Sequence, residues 1–243
     1  MKFGIDLGHG VGSDRGAIGN ISEETIINAV GELVISKLKA LGYTVIELRP
    51  VTATSVNNSL QQRYNKADFN NVDIVISIHA NAGGGVGTEI YTYSAKEVPQ
   101  ARAILNNIVA LGFKNRGIKS GNHLAMVKRP KAIAMLLEIC FVDSSDSELY
   151  NKIGAQKLAN AIVKGLTGQT AEKYYVVTNY LPYAYKGYDG VDINYVLSYF
   201  KGVKCYVRYN SKGVWIETEY LSKQKCQELK KIIGSWFYEI VEE

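Results

Sequence analysis

The sequence predicts an α/β protein. A twisted, mostly parallel or mixed sheet flanked by helices occupies residues 1–167, and a small α+β domain occupies 173–243. Strand-like and helix-like segments alternate from residue 2 to residue 167, the pattern of a sheet covered by helices on both faces. Thr167-Gly168-Gln169-Thr170-Ala171 reads as a short linker, placed at 168–172. Composition shifts there, since 12 of the 17 tyrosines lie after residue 171.

The elements follow in order. Phe3 to Leu7 is an apolar, strand-like run. Glu23 to Ala40 places Ile26, Ile27, Val30, Leu33, Val34, Leu38 and Leu41 at the spacing of an amphipathic helix. Ser22 can cap it, Glu23 and Glu24 suit its first turn, and Gly42 ends it. Tyr43 to Leu48 is the next strand, Asn58 to Asn71 a helix and Val72 to Ile78 a strand. Gly87 to Tyr93 alternates as a strand, Val98 to Phe113 is helical, and Ala132 to Ile139 is a buried strand. Ser147 to Leu166 reads as one long closing helix. Beyond the linker, Tyr174 to Leu181 is a strand and Asp192 to Phe200 a helix. Val203 to Tyr209 and Val214 to Tyr220 form a hairpin around Asn210-Ser211-Lys212-Gly213. Ser222 to Trp236 is a helix, and Phe237 to Val241 supplies a last strand. That order is a split βαβ arrangement.

Composition bounds the function. Of 243 residues, 47% are hydrophobic and 21% charged, which fits a soluble globular chain and not disorder. The net charge of +5 is scattered, so a solvated basic surface is expected and not a nucleic-acid site. Cys140, Cys205 and Cys226 are odd in number, far apart and form no Cys-x-x-Cys pair. A disulfide framework and a thiolate metal site are therefore not expected, and free thiols suit synthesis in a reducing cytosol. Met1-Lys2-Phe3 runs straight into a strand without the pattern of a signal peptide. No apolar run approaches the roughly 20 residues of a membrane-spanning helix, so no membrane insertion is expected.

Chemistry concentrates at strand ends. There are three histidines, and His9 and His79 each close an apolar strand-like run and enter a small-residue loop. In open α/β sheets ligands bind at the carboxyl ends of strands, so the two histidines point to one site. A lone histidine in a glycine turn ordinarily makes a local hydrogen bond; the repeated design argues for more. Two imidazoles and a carboxylate, with a fourth position left to water, make a hydrolytic zinc site. Spacing alone leaves Glu23 and Glu24 equivalent as the third ligand, and both also suit the helix dipole. Glu138 ends the run Ala132-Ile133-Ala134-Met135-Leu136-Leu137, where a carboxylate is costly unless it is paired, protonated or part of a site. There it would act as general base on water. His123 falls in a loop, and Cys140 reads as a small buried hydrophobe.

These residues resemble the zinc-dependent N-acetylmuramoyl-L-alanine amidases of the amidase-3 type. Asp6-Leu7-Gly8-His9-Gly10 and Asp14-Arg15-Gly16-Ala17-Ile18-Gly19 are similar to the family's opening signature. Glu24, four residues before Asn28, resembles the helix-opening glutamate ligand. Ser77-Ile78-His79-Ala80-Asn81-Ala82 resembles the second histidine motif, and Leu137-Glu138-Ile139-Cys140-Phe141 the catalytic-glutamate strand. Leu7 stands where the family usually has proline, and the usual proline before the catalytic strand is missing within Pro130 to Ala134.

The resemblance implies a Zn2+ held by His9, Glu24 and His79, with Glu138 catalytic. It implies hydrolysis of the amide between the lactyl group of N-acetylmuramic acid and L-alanine, with bacterial peptidoglycan as the partner. Residues 173–243 resemble sporulation-related (SPOR-like) wall-binding modules in element order; for the basic chain as a whole, an anionic wall polymer is the alternative to a merely solvated surface. With no signal peptide, the expected route is synthesis in the cytoplasm and action on the wall after release. A phage endolysin fits that route, with a bacterial mother-cell autolysin or a non-catalytic wall-binding protein as alternatives.

Overall fold

The structure, a computed structural model, describes residues 1–169, 174–181 and 192–242. Its contacts divide the chain into two units, Met1–Ala171 and Glu172–Glu243. Of the expected linker at 168–172, residues 170–172 lie outside the described residues.

Unit 1 alternates as the sequence predicts. Its elements are β1 (Lys2–Leu7), α1 (Glu23–Ala40), β2 (Thr44–Glu47), α2 (Val56–Phe69), β3 (Ile74–Asn81), β4 (Thr88–Thr92), α3 (Pro99–Val109), β5 (Asn115–Ser120), α4 (Ala125–Lys128), β6 (Ile133–Phe141), α5 (Asp146–Ile153) and α6 (Ala155–Thr167). The six strands form one sheet in the order β2-β1-β3-β6-β4-β5. β2, β1, β3 and β6 run parallel, β4 turns antiparallel to β6, and β5 runs parallel to β4.

The period of two along each strand sorts side chains to opposite faces. Ile74, Ile76 and Ile78 of β3 and Met135, Leu137 and Ile139 of β6 join a core with Ile26, Ile27, Val30 and Val34 of α1, Ile104 and Ile108 of α3, and Leu158 and Ile162 of α6. The alternate positions face α2 and α4, where Val75 packs with Leu48, Ala67 and Met126. On that second face the strands turn polar toward their carboxyl ends, through Asp6, Ser77, His79 and Glu138.

Three expectations change. The closing helix is broken at Gly154, whose backbone (φ 81°, ψ 157°) lies outside helical space and separates α5 from α6. Strand β5 was not evident in the sequence, because its residues Asn-Arg-Gly-Ile-Lys-Ser lack apolar alternation. None of its residues is fully buried, so neither face imposes that alternation. Ser22 holds the α1 N-cap position without a side-chain capping bond.

Unit 2 runs β7 (Tyr174–Thr178), α7 (Ile193–Leu197), β8 (Cys205–Asn210), β9 (Gly213–Thr218), α8 (Lys223–Ile233) and β10 (Phe237–Glu242). Its antiparallel sheet has the order β10-β7-β9-β8, the split βαβ arrangement expected. Ser222 caps α8 by accepting from the Lys225 amide at 3.1 Å. Tyr174, Val176 and Ile216 pack beneath Val196 of α7 and Cys226, Leu229 and Ile233 of α8. The three cysteines are free, Cys140 and Cys226 buried and Cys205 partly so. Among the described residues, no helix is long and apolar enough to cross a membrane.

Candidate metal centre

The carboxyl ends of β1 and β3 bring His9 and His79 together, with ring centroids 4.8 Å apart and planes at 86°. Gly8 makes this possible. A Cβ at that position would stand 2.3 Å from His79 Cε1, so any side chain would displace the ring. His9 itself adopts φ 54°, a left-handed conformation uncommon for a residue with a side chain. The carbonyls of Leu7 and His9, on either side of Gly8, are held by the guanidinium of Arg63, at 2.6 and 2.7 Å. Arg49 donates to the carbonyls of Leu7 and Gly8 while Asn28 of α1 accepts from its Nη1.

The carboxylate that the structure brings to the two histidines is Glu23, in place of the expected Glu24. His9, Glu23 and His79 offer ligand atoms that all lie within 4.8 Å of one another. Glu23 Oε1 lies 3.0 Å from His79 Nδ1 and 3.5 Å from His9 Nε2, and it accepts from the Ala80 amide at 3.1 Å. Its Oε2 accepts from the Ala17 amide at 2.9 Å. Neighbouring residues on a helix point about 100° apart, so only one of two adjacent glutamates can face the strand ends. Glu24 points the other way, to Arg15 Nε at 2.9 Å and the Gly16 amide at 3.2 Å.

Charge and burial oppose each other here. Burial works against ionisation of Glu23, but the bond and charge of His79 and the Ala17 amide more than offset it, and the carboxyl lies below its usual range. Burial works against protonation of His79, yet the Glu23 bond and the nearby Glu138 charge leave its pKa raised. His9 Nδ1 lies 2.9 Å from Asp14 Oδ1, which fixes the ring and leaves Nε2 toward Glu23. Asp14 is buried, which opposes its ionisation. Hydrogen bonds from Ser59 and His9 and the charge of Arg63 outweigh that and lower its pKa.

Glu138 lies beside this cluster. Its register partner on β3 is His79, and directly opposed residues share a face. Its Oε2 is buried and has no hydrogen-bond partner. Burial is the main cause that pushes its pKa up to about 7; the His79 charge lowers it, while Glu23 and Glu89 add to the rise. A buried unpartnered carboxylate oxygen next to two imidazoles and a carboxylate is a costly arrangement for a structural group. It suits a site that meets a cation and a proton. The donor set of two imidazoles and one carboxylate is the chemistry of a hydrolytic zinc site, so these residues fit that ion.

The site contains groups that the sequence motifs did not single out. Arg63 is buried at 1% exposure and ties α2 to the strand ends. It donates to Asp6 Oδ1 at 2.6 Å and to Ser59 Oγ at 3.0 Å, and reaches Asp14. Removing one member of such a buried pair costs about 3–5 kcal/mol. Glu89, opposite Glu138 on β4, is buried and bound by Arg116, Lys119 and Tyr91. Burial opposes its ionisation, but Lys119 and Arg116 keep its pKa low. Only the pairing of β4 with β6 reveals these residues as neighbours of the site. His123 is exposed, its ring edge-on to Tyr91 at 6.0 Å, outside the cluster.

The family described as N-acetylmuramoyl-L-alanine amidase (Amidase_3) matches residues 4–168. N-acetylmuramoyl-L-alanine amidase CwlM of Bacillus licheniformis is 31% identical over 172 residues, 68% of this chain and 67% of its own. The sporulation-specific N-acetylmuramoyl-L-alanine amidase of Bacillus subtilis (strain 168) is 31% identical over 170 residues, 68% of this chain and 65% of its own. The chain spans from about a third to about four fifths of the length of its curated relatives. Among solved structures, the catalytic domain of CD27L endolysin targeting Clostridia Difficile superposes with a TM-score of 0.63 at 26% identity. The match covers 70% of this chain and 98% of that one.

Proposed function

Because this chain belongs to the N-acetylmuramoyl-L-alanine amidase family, we propose that unit 1 hydrolyses the amide joining the lactyl group of N-acetylmuramic acid to L-alanine, with zinc held by His9, Glu23 and His79. The observation that carries this reading is the convergence of those three side chains beside the unpartnered Glu138 Oε2. A zinc ion in such a donor set supplies a Lewis acid that polarises the scissile carbonyl and makes water a nucleophile near neutral pH.

The chain's own residues do the rest. Asp14 holds His9 Nδ1, so its ring presents Nε2 in a fixed orientation. The Ala17 and Ala80 amides and Gly8 hold Glu23 and His79 in place before substrate arrives. Glu138 takes the proton of the attacking water at Oε2 and returns it to the alanine nitrogen as the amine leaves. Burial raises the Glu138 pKa and a bound cation beside it would oppose that rise, which keeps the carboxylate available to accept the proton.

Unit 2 holds the enzyme on the wall in this reading; its tyrosines and tryptophans supply faces for sugar rings. The enzyme acts as a wall lysin, and the likeness to the CD27L catalytic domain supports a phage endolysin. The sporulation-specific relative supports the alternative, a bacterial autolysin with the same chemistry.

Product analysis tests the reading. With muramyl dipeptide as substrate, the expected products are N-acetylmuramic acid and a dipeptide with a free alanine amine, formed with zinc and not after chelation. Release of the terminal amino acid instead would identify a carboxypeptidase, and turnover untouched by chelator would remove the metal.

A further inference from the structure

Unit 2 carries a cleft that the hydrolytic chemistry does not use. Tyr174, Val176 and Ile216 point to its helices, so the alternate positions Tyr175, Val177, Trp215 and Glu217 face the opposite side of the sheet. There, Tyr175, Trp215, Glu217, Tyr180, Tyr238 and Glu239 border a cleft of about 330 Å³. Small-ligand sites typically measure about 300–1,000 Å³.

Its walls are fixed by bonds among themselves. The rings of Tyr180 and Trp215 stand 5.7 Å apart at 84°. Trp215 Nε1 donates to Glu217 Oε1 at 2.9 Å, and Arg208 Nε holds Glu217 Oε2 at 2.9 Å. Asn210 donates to the Tyr180 hydroxyl at 3.0 Å. Rigid aromatic walls lose little freedom when a ligand binds.

Charge selects the occupant. Among the described residues the lining contains two carboxylates, Glu239 and the Arg208-paired Glu217, and no lysine or arginine. The chain's net charge of +5 is therefore not expressed in this cleft. A phosphate- or carboxylate-bearing chain would meet the like charge of Glu239 there, while the charge of Glu217 is opposed by Arg208. Sugar hydroxyls, by contrast, donate well to carboxylates and to the side-chain oxygen of Asn179, while the C–H faces of a pyranose ring pack on aromatic rings.

We propose that this cleft is a saccharide site that binds a neutral pyranose chain, with Trp215, Tyr180 and Tyr238 stacking and Glu217 and Glu239 taking hydroxyls. It rests on the reading of unit 2 as the wall-binding unit and names what that unit grips, a neutral sugar and not an anionic polymer.

The full chain itself offers the probe. Its two tryptophans are Trp215, in the cleft, and Trp236, which packs on Tyr195 and Tyr199 at 5.9 and 5.1 Å. With 5-fluorotryptophan in place of both, and the resonances assigned through Trp215→Phe, tetra-N-acetylchitotetraose and cellotetraose are titrated in turn. A saturable shift of the Trp215 resonance alone is expected. The probe that produces it separates an amino-sugar chain from a hexose chain. Tyr238→Ala, at a side chain 61% exposed and so safe for folding, should weaken binding about fivefold to tenfold. Glu217→Gln should weaken it further than it lowers the melting temperature.

An unmoved Trp215 with both saccharides at millimolar concentration overturns the proposal. So does a shift produced by poly(glycerol phosphate) and by neither sugar. Sedimentation with purified walls separates the two levels. A chain that pellets while Trp215 stays unmoved keeps the wall-binding reading and loses the cleft. A shifted Trp215 in a chain that does not pellet keeps the cleft and removes wall targeting.

Discussion

Glu23→Gln compared with Glu24→Gln is the sharpest test of the metal centre, because the two carboxylates differ by one position and by everything they touch. Glu23 is 4% exposed and sits within hydrogen-bond distance of His79 Nδ1 and the amides of Ala17 and Ala80. Structural zinc sites gain about 10–16 kcal/mol from four ligands, so one ligand's share is about 3 kcal/mol, or about 10²–10³ in affinity. Glu23→Gln is expected to lose that much. Its amide nitrogen must also face a donor, His79 Nδ1 or the Ala17 amide, which adds about 1–3 kcal/mol of destabilisation. Glu24→Gln gives up an ion pair to Arg15, a side chain 63% exposed, and such pairs contribute about 0–1 kcal/mol. Its zinc affinity should stay within about threefold of the parent, since about 0.6 kcal/mol covers that difference. Competition with a chromophoric chelator gives both constants, and circular dichroism confirms that both variants fold. Zinc lost from Glu24→Gln and kept by Glu23→Gln would refute the geometry assigned here.

Other expectations follow from the same site. Glu138→Gln should keep zinc and fold but lose about 10²–10⁴ in turnover of a soluble muropeptide, and normal turnover would remove Glu138 as the base. In the chelated protein, the Glu138 pKa of about 7 against 4.5 for an ordinary glutamate means the native state holds an extra proton between those values. Stability should therefore fall as pH rises from about 4.5 to about 7 and level off above, by on the order of 1–3 kcal/mol. Glu138→Gln should flatten that fall, so melting curves that run parallel for the two proteins across this range would contradict the burial assigned to Glu138. Truncation after Gln169 follows the left-handed cap at Gly168, φ 72°, and keeps the whole unit 1 core. It should retain zinc and soluble-substrate turnover but lyse intact cells poorly; equal lysis would show unit 2 to be dispensable.

Much of this was legible in the sequence, for identifiable reasons. His9 and His79 each follow an apolar run, and strand ends are where an α/β sheet presents side chains, so their meeting could be anticipated. Glu138 stood out as a charge ending an apolar strand. The choice between Glu23 and Glu24 was not legible, because it depends on how far α1 is rotated about its axis at its first turn. A motif spacing to Asn28 does not measure that rotation; Asn28 instead holds Arg49. Arg63, Glu89, Arg116 and Lys119 were hidden because their roles arise from pairings of distant segments. β5 was hidden because none of its residues is fully buried, so it lacks the apolar alternation that reveals a strand with one buried face.

The buried Asp6–Ser77–Arg63 knot has a further consequence, for how the sheet finds its alignment. β3 and β6 are apolar on both faces, Ile-Val-Ile-Ser-Ile beside Ala-Met-Leu-Leu, and such strands contain no pattern that distinguishes one pairing offset from the next. A slip of one residue between them would leave the core almost as oily as before, yet would set Leu137 or Ile139 beside His79 in place of Glu138. Along β1 and β3 the matched pair Asp6 and Ser77, joined by a 2.6 Å hydrogen bond and closed by Arg63, acts as a key that fits at one offset only. Ser77→Ala is therefore expected to cost refolding yield, read as aggregate formed on dilution from denaturant, more than it costs melting temperature of the correctly folded fraction. The buried groups least exposed to substrate thus align β1 with β3, and with them the strand ends from which His9 and His79 meet.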